Sequence, residues 1–183
     1  MKSIMSQTSR KTENTILHQL LTALVFLASF ALLFLFLFFI TRGQKTAEVD
    51  VRTAAEMLKN EMDQTKLQAE DELTLRARYG LENTDYDEMV YYGPVTNMDV
   101  EELLVLKLSD SGKLSAVKEA FESRIAYQKS CFDGYGTDQT GILNRAQFIL
   151  RGQYACLIVS DHGETAGALM NQFLRKGVQD GIQ

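Results

Sequence analysis

The sequence predicts an α+β domain behind a single N-terminal transmembrane helix, the domain holding a mostly antiparallel four-stranded sheet packed with helices. Three observations predict it. Leu20–Ile40 is a run of 21 residues without a charge. Beyond it, several stretches repeat apolar residues at helical spacing. Between those stretches lie two pairs of short β-prone runs. Each pair is joined by turn signals rather than by a helix, which is the pattern of hairpins and so of antiparallel pairing.

At a helical rise of about 1.5 Å per residue, Leu20–Ile40 spans about 31 Å, close to the ~30 Å hydrocarbon core of a bilayer. Only a helix satisfies its own backbone there. A cleaved signal peptide has an apolar stretch of roughly 7–15 residues ending at small residues. This run is longer and ends in Leu37-Phe-Phe-Ile40. The expected layout is therefore a cytoplasmic tail at 1–19, an anchor at 20–40, a spacer at 41–49, an extracytoplasmic domain at 50–175 and a frayed tail at 176–183. Positive residues are tied on the two flanks, Lys2, Arg10 and Lys11 against Arg42, Lys45 and Arg52. Two other features favour an inside N-terminus. The tail is short and a large domain follows it. That domain carries the acidic balance of a chain with formal charge −5, and an acidic domain is not drawn to an anionic inner leaflet. The bilayer is thus the first expected partner. Thr22 and Ser29 share a face of the anchor, so a weak dimer through it is a second expectation, although no GxxxG is present.

The domain elements follow in order. Val51, Ala54, Ala55, Leu58 and Met62 form one helical stripe, with Asp50 as N-cap. Lys66–Glu70 is too short to show a period. A short helix runs from about Asp71 to Tyr79, and Gly80 suits its end. After an acidic, turn-rich stretch, Met89–Tyr92 is β-prone and stops at Gly93-Pro94. Glu102–Leu108 is an apolar run expected as a strand buried on both faces. Ser109–Ser111 caps the longest helix, which reaches about Cys131 with Leu114, Val117, Phe121 and Ile125 as its buried stripe. A shorter helix covers about Gln139–Arg145. The strands Gln147–Leu150 and Tyr154–Val159 flank Gly152-Gln153, a two-residue hairpin turn with Gly first. Asp161 and Glu164 have capping-box spacing ahead of a last helix bearing Ala166, Leu169, Met170 and Phe173.

Candidate chemistry is sparse. No Lys/Arg run offers a stripe for phosphates, which argues against a nucleic-acid partner. There is no Gly-x-Ser-x-Gly, Walker loop or His-Glu-x-x-His, so no catalytic residue, metal site or cofactor is expected. Glu82, Asp85, Asp87 and Glu88 lack the ligand spacing of a calcium loop and read as solvated, as do the charge runs Glu70-Asp71-Glu72 and Glu101-Glu102. Cys131 and Cys156 have no metal-ligand spacing. An extracytoplasmic position permits a disulfide between them; the alternative is two small apolar thiols. Arg124 and Gln128 share a face of the long helix and Tyr135 follows it. These three either hold the glycine-bearing loop against the helix or border a small binding groove.

Val105-Leu-Lys-Leu108 is followed by Leu114-x-x-Val-Lys-x-Ala-Phe-x-x-Arg-x-x-x-Gln128, then Phe132-x-x-Tyr135, Phe148-Ile-Leu-Arg-Gly-x-Tyr154 and Leu157-Ile-Val-Ser160. With Tyr79-Gly80-Leu81 upstream, this order resembles the domain of unknown function 4358 family over about residues 50–172. The resemblance implies a Firmicutes lipoprotein or membrane-anchored protein with its domain outside the cytoplasm. The chain departs from many relatives in carrying a hydrophobic anchor where they have a lipidated cysteine. The family brings no activity with it.

The expected function is a non-catalytic, membrane-tethered extracytoplasmic module that binds a protein or a cell-wall component. The alternatives are a small hydrolase or redox enzyme using a cysteine, and a sensor that acts through a membrane partner, since a tail of about 19 residues is too short for an output domain.

Overall fold

The computed structural model describes residues 21, 22, 24–36 and 46–176. Two units divide the chain, 1–44 and 45–183. In the first, the described residues are helical and their apolar side chains, Phe26, Phe30 and Phe34 among them, are exposed. The Ser29 hydroxyl donates to the Val25 carbonyl of its own helix at 2.9 Å. Among the described residues no helix is long and apolar enough to cross a membrane. The expected span Leu20–Ile40 extends past them at both ends, and the tails at 1–19 and 177–183 lie outside them.

The second unit is an α+β domain whose sheet has five strands, all paired antiparallel. Its order is α1 (Val51–Asn60), β1 (Leu67–Ala69), α2 (Glu72–Tyr79), β2 (Tyr86–Pro94), β3 (Glu102–Leu108), α3 (Leu114–Cys131), α4 (Thr137–Asn144), β4 (Gln147–Arg151), β5 (Tyr154–Val159) and α5 (Gly163–Lys176). The strands stand in the order β1-β2-β3-β5-β4. The two predicted hairpins are therefore β2-β3 and β4-β5, joined where β3 pairs with β5. The fifth strand, β1, corrects the four-stranded expectation. It lies in the stretch that showed no period, and it exists because Leu67, Gln68 and Ala69 pair with Pro94, Gly93 and Tyr92.

Helices cover both faces. On one face, Val51, Ala54, Ala55 and Leu58 of α1 and Ala166, Met170 and Phe173 of α5 pack on Leu103, Val105, Cys156 and Ile158. On the other, Leu75 and Tyr79 of α2, Val117, Phe121 and Ile125 of α3 and Ile142 and Leu143 of α4 pack on Leu104, Leu106, Ala155 and Leu157. Central strand β3 feeds both cores by alternation, as its unbroken apolar run predicts. The expected caps at Asp50 and Asp71 form, accepting from the Thr53 N–H at 2.6 Å and the Thr74 N–H at 2.8 Å. Gly80 ends α2 with φ 69° and Gly152 opens the β4-β5 turn with φ 62°, the left-handed region that glycine enters without a Cβ penalty.

Two start signals act differently from expectation. Asp110 caps a 3₁₀ turn at Ser111–Lys113, accepting from the Gly112 N–H at 2.7 Å, and α3 begins after that turn. Asp161 does not cap α5, because its carboxylate is bonded to Arg145; the Ser160 hydroxyl accepts from the His162 N–H at 3.2 Å instead.

The chain enters at the end of the sheet opposite the loop between β2 and β3. The Val49 N–H donates to the Tyr154 hydroxyl at 2.9 Å, and Thr46 lies against Gly152, so the chain arrives at the β4-β5 turn. At the other end, Glu102 is paired with Val159 and the loop from Val95 to Glu101 connects β2 to β3.

Candidate functional site

Glu102 opens β3 and is fully buried. It shares strand parity with Leu104, Leu106 and Leu108, so its side chain enters the core under α2 and α3. A carboxylate there needs donors on every side. Tyr79, the last residue of α2, donates its hydroxyl to Glu102 Oε2 at 2.5 Å. Tyr91 of β2 donates to Oε1 at 3.2 Å. Arg124 of α3 donates from Nε at 3.2 and 3.3 Å, and also from Nη2. Gln128, one turn further along, donates from Nε2 at 3.4 Å. Arg78 stands behind, with Nη1 donating to the Tyr91 hydroxyl at 2.8 Å and Nη2 3.2 Å from Glu70 Oε1. The Tyr79 ring meets Tyr91 and Phe121 edge-on at 5.6 and 5.9 Å.

Burial and charge hold the two phenols and the Arg124 guanidinium protonated. Burial pushes the Tyr79 phenol well above its usual value, and the neighbouring Glu102 charge pushes it further. Burial and Glu102 raise Tyr91 too, against the Arg78 charge and hydrogen bond. Burial works against the Arg124 cation, but the hydrogen bond and charge of Glu102 outweigh it and raise its pKa. Both phenols therefore remain donors and the guanidinium remains charged.

Above this cluster opens a cleft of about 490 Å³ between the loop from Pro94 to Asp99 and the C-terminal half of α3. Arg78, Arg124 and Gln128 line its polar floor, and Val95 and Tyr127 line it as exposed side chains. One side-chain oxygen of these residues is unsatisfied. Gln128 Oε1 is buried and has no hydrogen-bond partner among the described residues. Its orientation is fixed, because only the amide NH₂ can face the Glu102 carboxylate. A buried carbonyl oxygen without a donor costs about 1–3 kcal/mol, so it marks a place where a donor is wanted. A second cavity of about 440 Å³ lies across the same loop. There Lys66 meets Glu101 at 2.6 Å and Arg145 is bonded to Asp161, so both of its cations are already paired.

Of the residues singled out in the sequence, Arg124 and Gln128 come together in this site. Tyr135 does not join them. It is exposed, donates its hydroxyl to the Cys131 carbonyl and leans on Phe132 at 5.9 Å, closing the end of α3. The reading of Glu101-Glu102 as a solvated run is overturned, since both are buried. Glu70 is largely buried beside Arg78 as well. Tyr79, Tyr91 and Arg78 gave no local signal, because helix α2 and strand β2 bring them to Glu102 from outside its own segment.

Cys131 and Cys156 are both free, so the structure forms no disulfide between them. The sheet stands between the thiols. Cys156 lies in the core under α1 and α5, whereas Cys131 ends α3 on the opposite face. The Cys156 thiol is fully enclosed, and burial pushes its pKa up, away from the thiolate a nucleophile requires.

Residues 60–160 match the model of a family described as Domain of unknown function (DUF4358). No curated protein and no solved structure matches the chain.

Proposed function

The chain belongs to the DUF4358 family, domains of unknown function, and from that premise we propose that it is a membrane-tethered module that binds a protein or cell-wall component outside the cytoplasm without transforming it. The cleft that Arg78, Arg124 and Gln128 floor with polar side chains carries this reading. A binding site needs a few fixed polar groups inside a concave surface, and Glu102 holds Arg124 and Gln128 in such a position. The same cluster speaks against acid–base work. Its tyrosines are held protonated and its guanidinium charged, so neither phenol and not the guanidinium is poised to exchange a proton near neutral pH.

The tether is supported by the uncharged run Leu20–Ile40, long enough to span a bilayer, and by the apolar side chains exposed on its described helical residues. An apolar surface of that kind is matched by lipid rather than water. The short tail and acidic domain favour an inside N-terminus, as argued above.

One experiment on wall-stripped cells tests both parts. A photocrosslinking residue is placed at Tyr127, on the cleft, and in a control at Leu73, which is also exposed but on α2. The Tyr127 probe is expected to capture a discrete species that the Leu73 probe does not. External protease is expected to digest the chain beyond Gln44 and to leave the tail before Leu20 intact. Equal capture from both positions would remove the binding reading. A protected domain with an accessible tail would invert the topology.

A further inference from the structure

We propose that the domain forms a two-fold dimer in which β4 pairs antiparallel with β4 of a second copy of this chain, joining the two sheets into one. This interface shares no lining residue with the cleft and does not depend on it.

Strand parity shows which backbone groups of β4 face outward. The Leu108 N–H donates to the Gln153 carbonyl at 2.6 Å, so Gln153 faces β3. Alternation then turns Tyr154, Cys156 and Ile158 toward β4, where they pair with Arg151, Ile149 and Gln147. Phe148 and Leu150 are left with N–H and C=O pointing away from β5. Among the described residues no hydrogen bond reaches these groups, and no strand lies beyond β4. The helices beside β4 meet its side chains. Gly163 and Gly167 of α5 approach Gln147, and the Phe148 ring meets Phe121 of α3 at 5.9 Å.

Edge strands are ordinarily blunted by charge, proline, a bulge or shortness. The opposite edge fits that rule, since β1 has three residues set between Lys66 and Glu70. Strand β4 does not. It runs Gln147-Phe-Ile-Leu-Arg151 in regular register, without proline, and its one charge is at the end.

Self-complementarity selects a second copy as the occupant. A two-fold axis through Ile149 sets Phe148 opposite Leu150 of the second copy, and the two exchange both hydrogen bonds. Gln147 falls opposite Arg151 of the second copy, so no like charges face each other across the strands. Phe148 and Leu150 of both copies then form one apolar row. It continues into a groove of about 300 Å³ lined by Ile125, Leu143 and Phe148. The charges on that groove match end for end. Glu122 and Lys129 line it from successive turns of α3, and the axis reverses α3 in the second copy, so Lys129 of that copy lies toward Glu122. Glu122 also meets Lys118 at 3.0 Å, but an exposed pair of that kind holds it weakly.

The test uses the full chain purified in detergent, carrying Cys131→Ser so that the remaining native thiol is the enclosed Cys156. Ile149→Cys puts two thiols at the axis, where a non-hydrogen-bonded pair has Cα atoms about 4.5 Å apart, within reach of a disulfide. Gln68→Cys on β1 is the control and reports encounters that come only from a shared micelle or from the anchor. Mild oxidation is expected to convert Ile149→Cys to a reducible dimer about tenfold faster than the control, and Leu150→Lys should remove that excess by charging the edge. Should Ile149→Cys fail to fold, Gln147→Cys and Arg151→Cys, both half-buried, are oxidised alone and mixed. The mixture is expected to link and each alone to stay at the control rate. Linking at the control rate throughout would overturn the proposal, and is the result expected if another segment of this chain or a foreign strand covers β4. Linking that ignores Leu150→Lys, or that is as fast for Gln147→Cys alone as for the mixture, would overturn it too.

Discussion

Glu102 accepts from Tyr79, Tyr91, Arg124 and Gln128, and Arg124 has no other acceptor among the described residues. Truncating Glu102 would leave a guanidinium that is nearly enclosed with its charge uncompensated. Breaking one side of a buried ion pair costs about 3–5 kcal/mol. Glu102→Ala is expected to lose that much in urea unfolding, with the slope of the transition unchanged; a loss under about 1 kcal/mol would mean that water reaches Arg124. The sequence held a faint signal for this residue. A charge heads a run whose every second residue, Leu104, Leu106 and Leu108, faces one core, so parity puts Glu102 under the same helices. The adjacent Glu101 made the pair look like a solvated doublet, and nothing local distinguishes the two.

Among the elements, α3 does most to connect core and cleft. Its stripe of Val117, Phe121 and Ile125 continues into Gln128, so the helix that packs the core also delivers the amide to the cleft floor. Phe121 is fully buried and touches Tyr79 and Phe148 edge-on at 5.9 Å. Phe121→Ala is expected to cost about 3–5 kcal/mol in the same assay, the usual loss for a core phenylalanine. It should also loosen Tyr79 and so weaken the Glu102 cluster; a small loss would mean that α3 repacks over the hole. Helix α3 was legible from its period over 18 residues. Strand β1 was not, because three residues carry no period and its formation depends on β2. The predicted hairpin at Gly152 formed because a two-residue turn that begins at φ 62° needs only local chemistry.

Across the whole molecule, buried tyrosines, Tyr86 among them, make stability sensitive to alkaline pH. Burial raises Tyr79, Tyr91 and Tyr92, with Glu102 adding to the first two and the Glu56 hydrogen bond adding to Tyr92, which is pushed up to about 12. In the unfolded chain all three deprotonate near 10. Between those values the unfolded chain has released protons that the folded chain keeps, so stability falls as pH rises. Below about pH 10 the contribution is fully present. Thermal melting from pH 9 to 12 is expected to show a falling midpoint beginning near pH 10, with a shallower fall in Tyr92→Phe. A flat profile would mean that these phenols are not enclosed in solution. By itself the sequence determined the uncharged Leu20–Ile40 run, the helical stripes, the two hairpins and the α+β class, because propensity, period and turn chemistry act over a few residues. The tertiary structure decided that β1 joins the sheet, that β3 lies beside β5, that the sheet separates Cys131 from Cys156, and that Glu102 is buried. Each of these depends on pairing between distant segments: Tyr79 and Arg124 reach Glu102 from 23 and 22 residues away. Whether a charged residue is solvated or enclosed is set by those distant neighbours, and local sequence does not encode them.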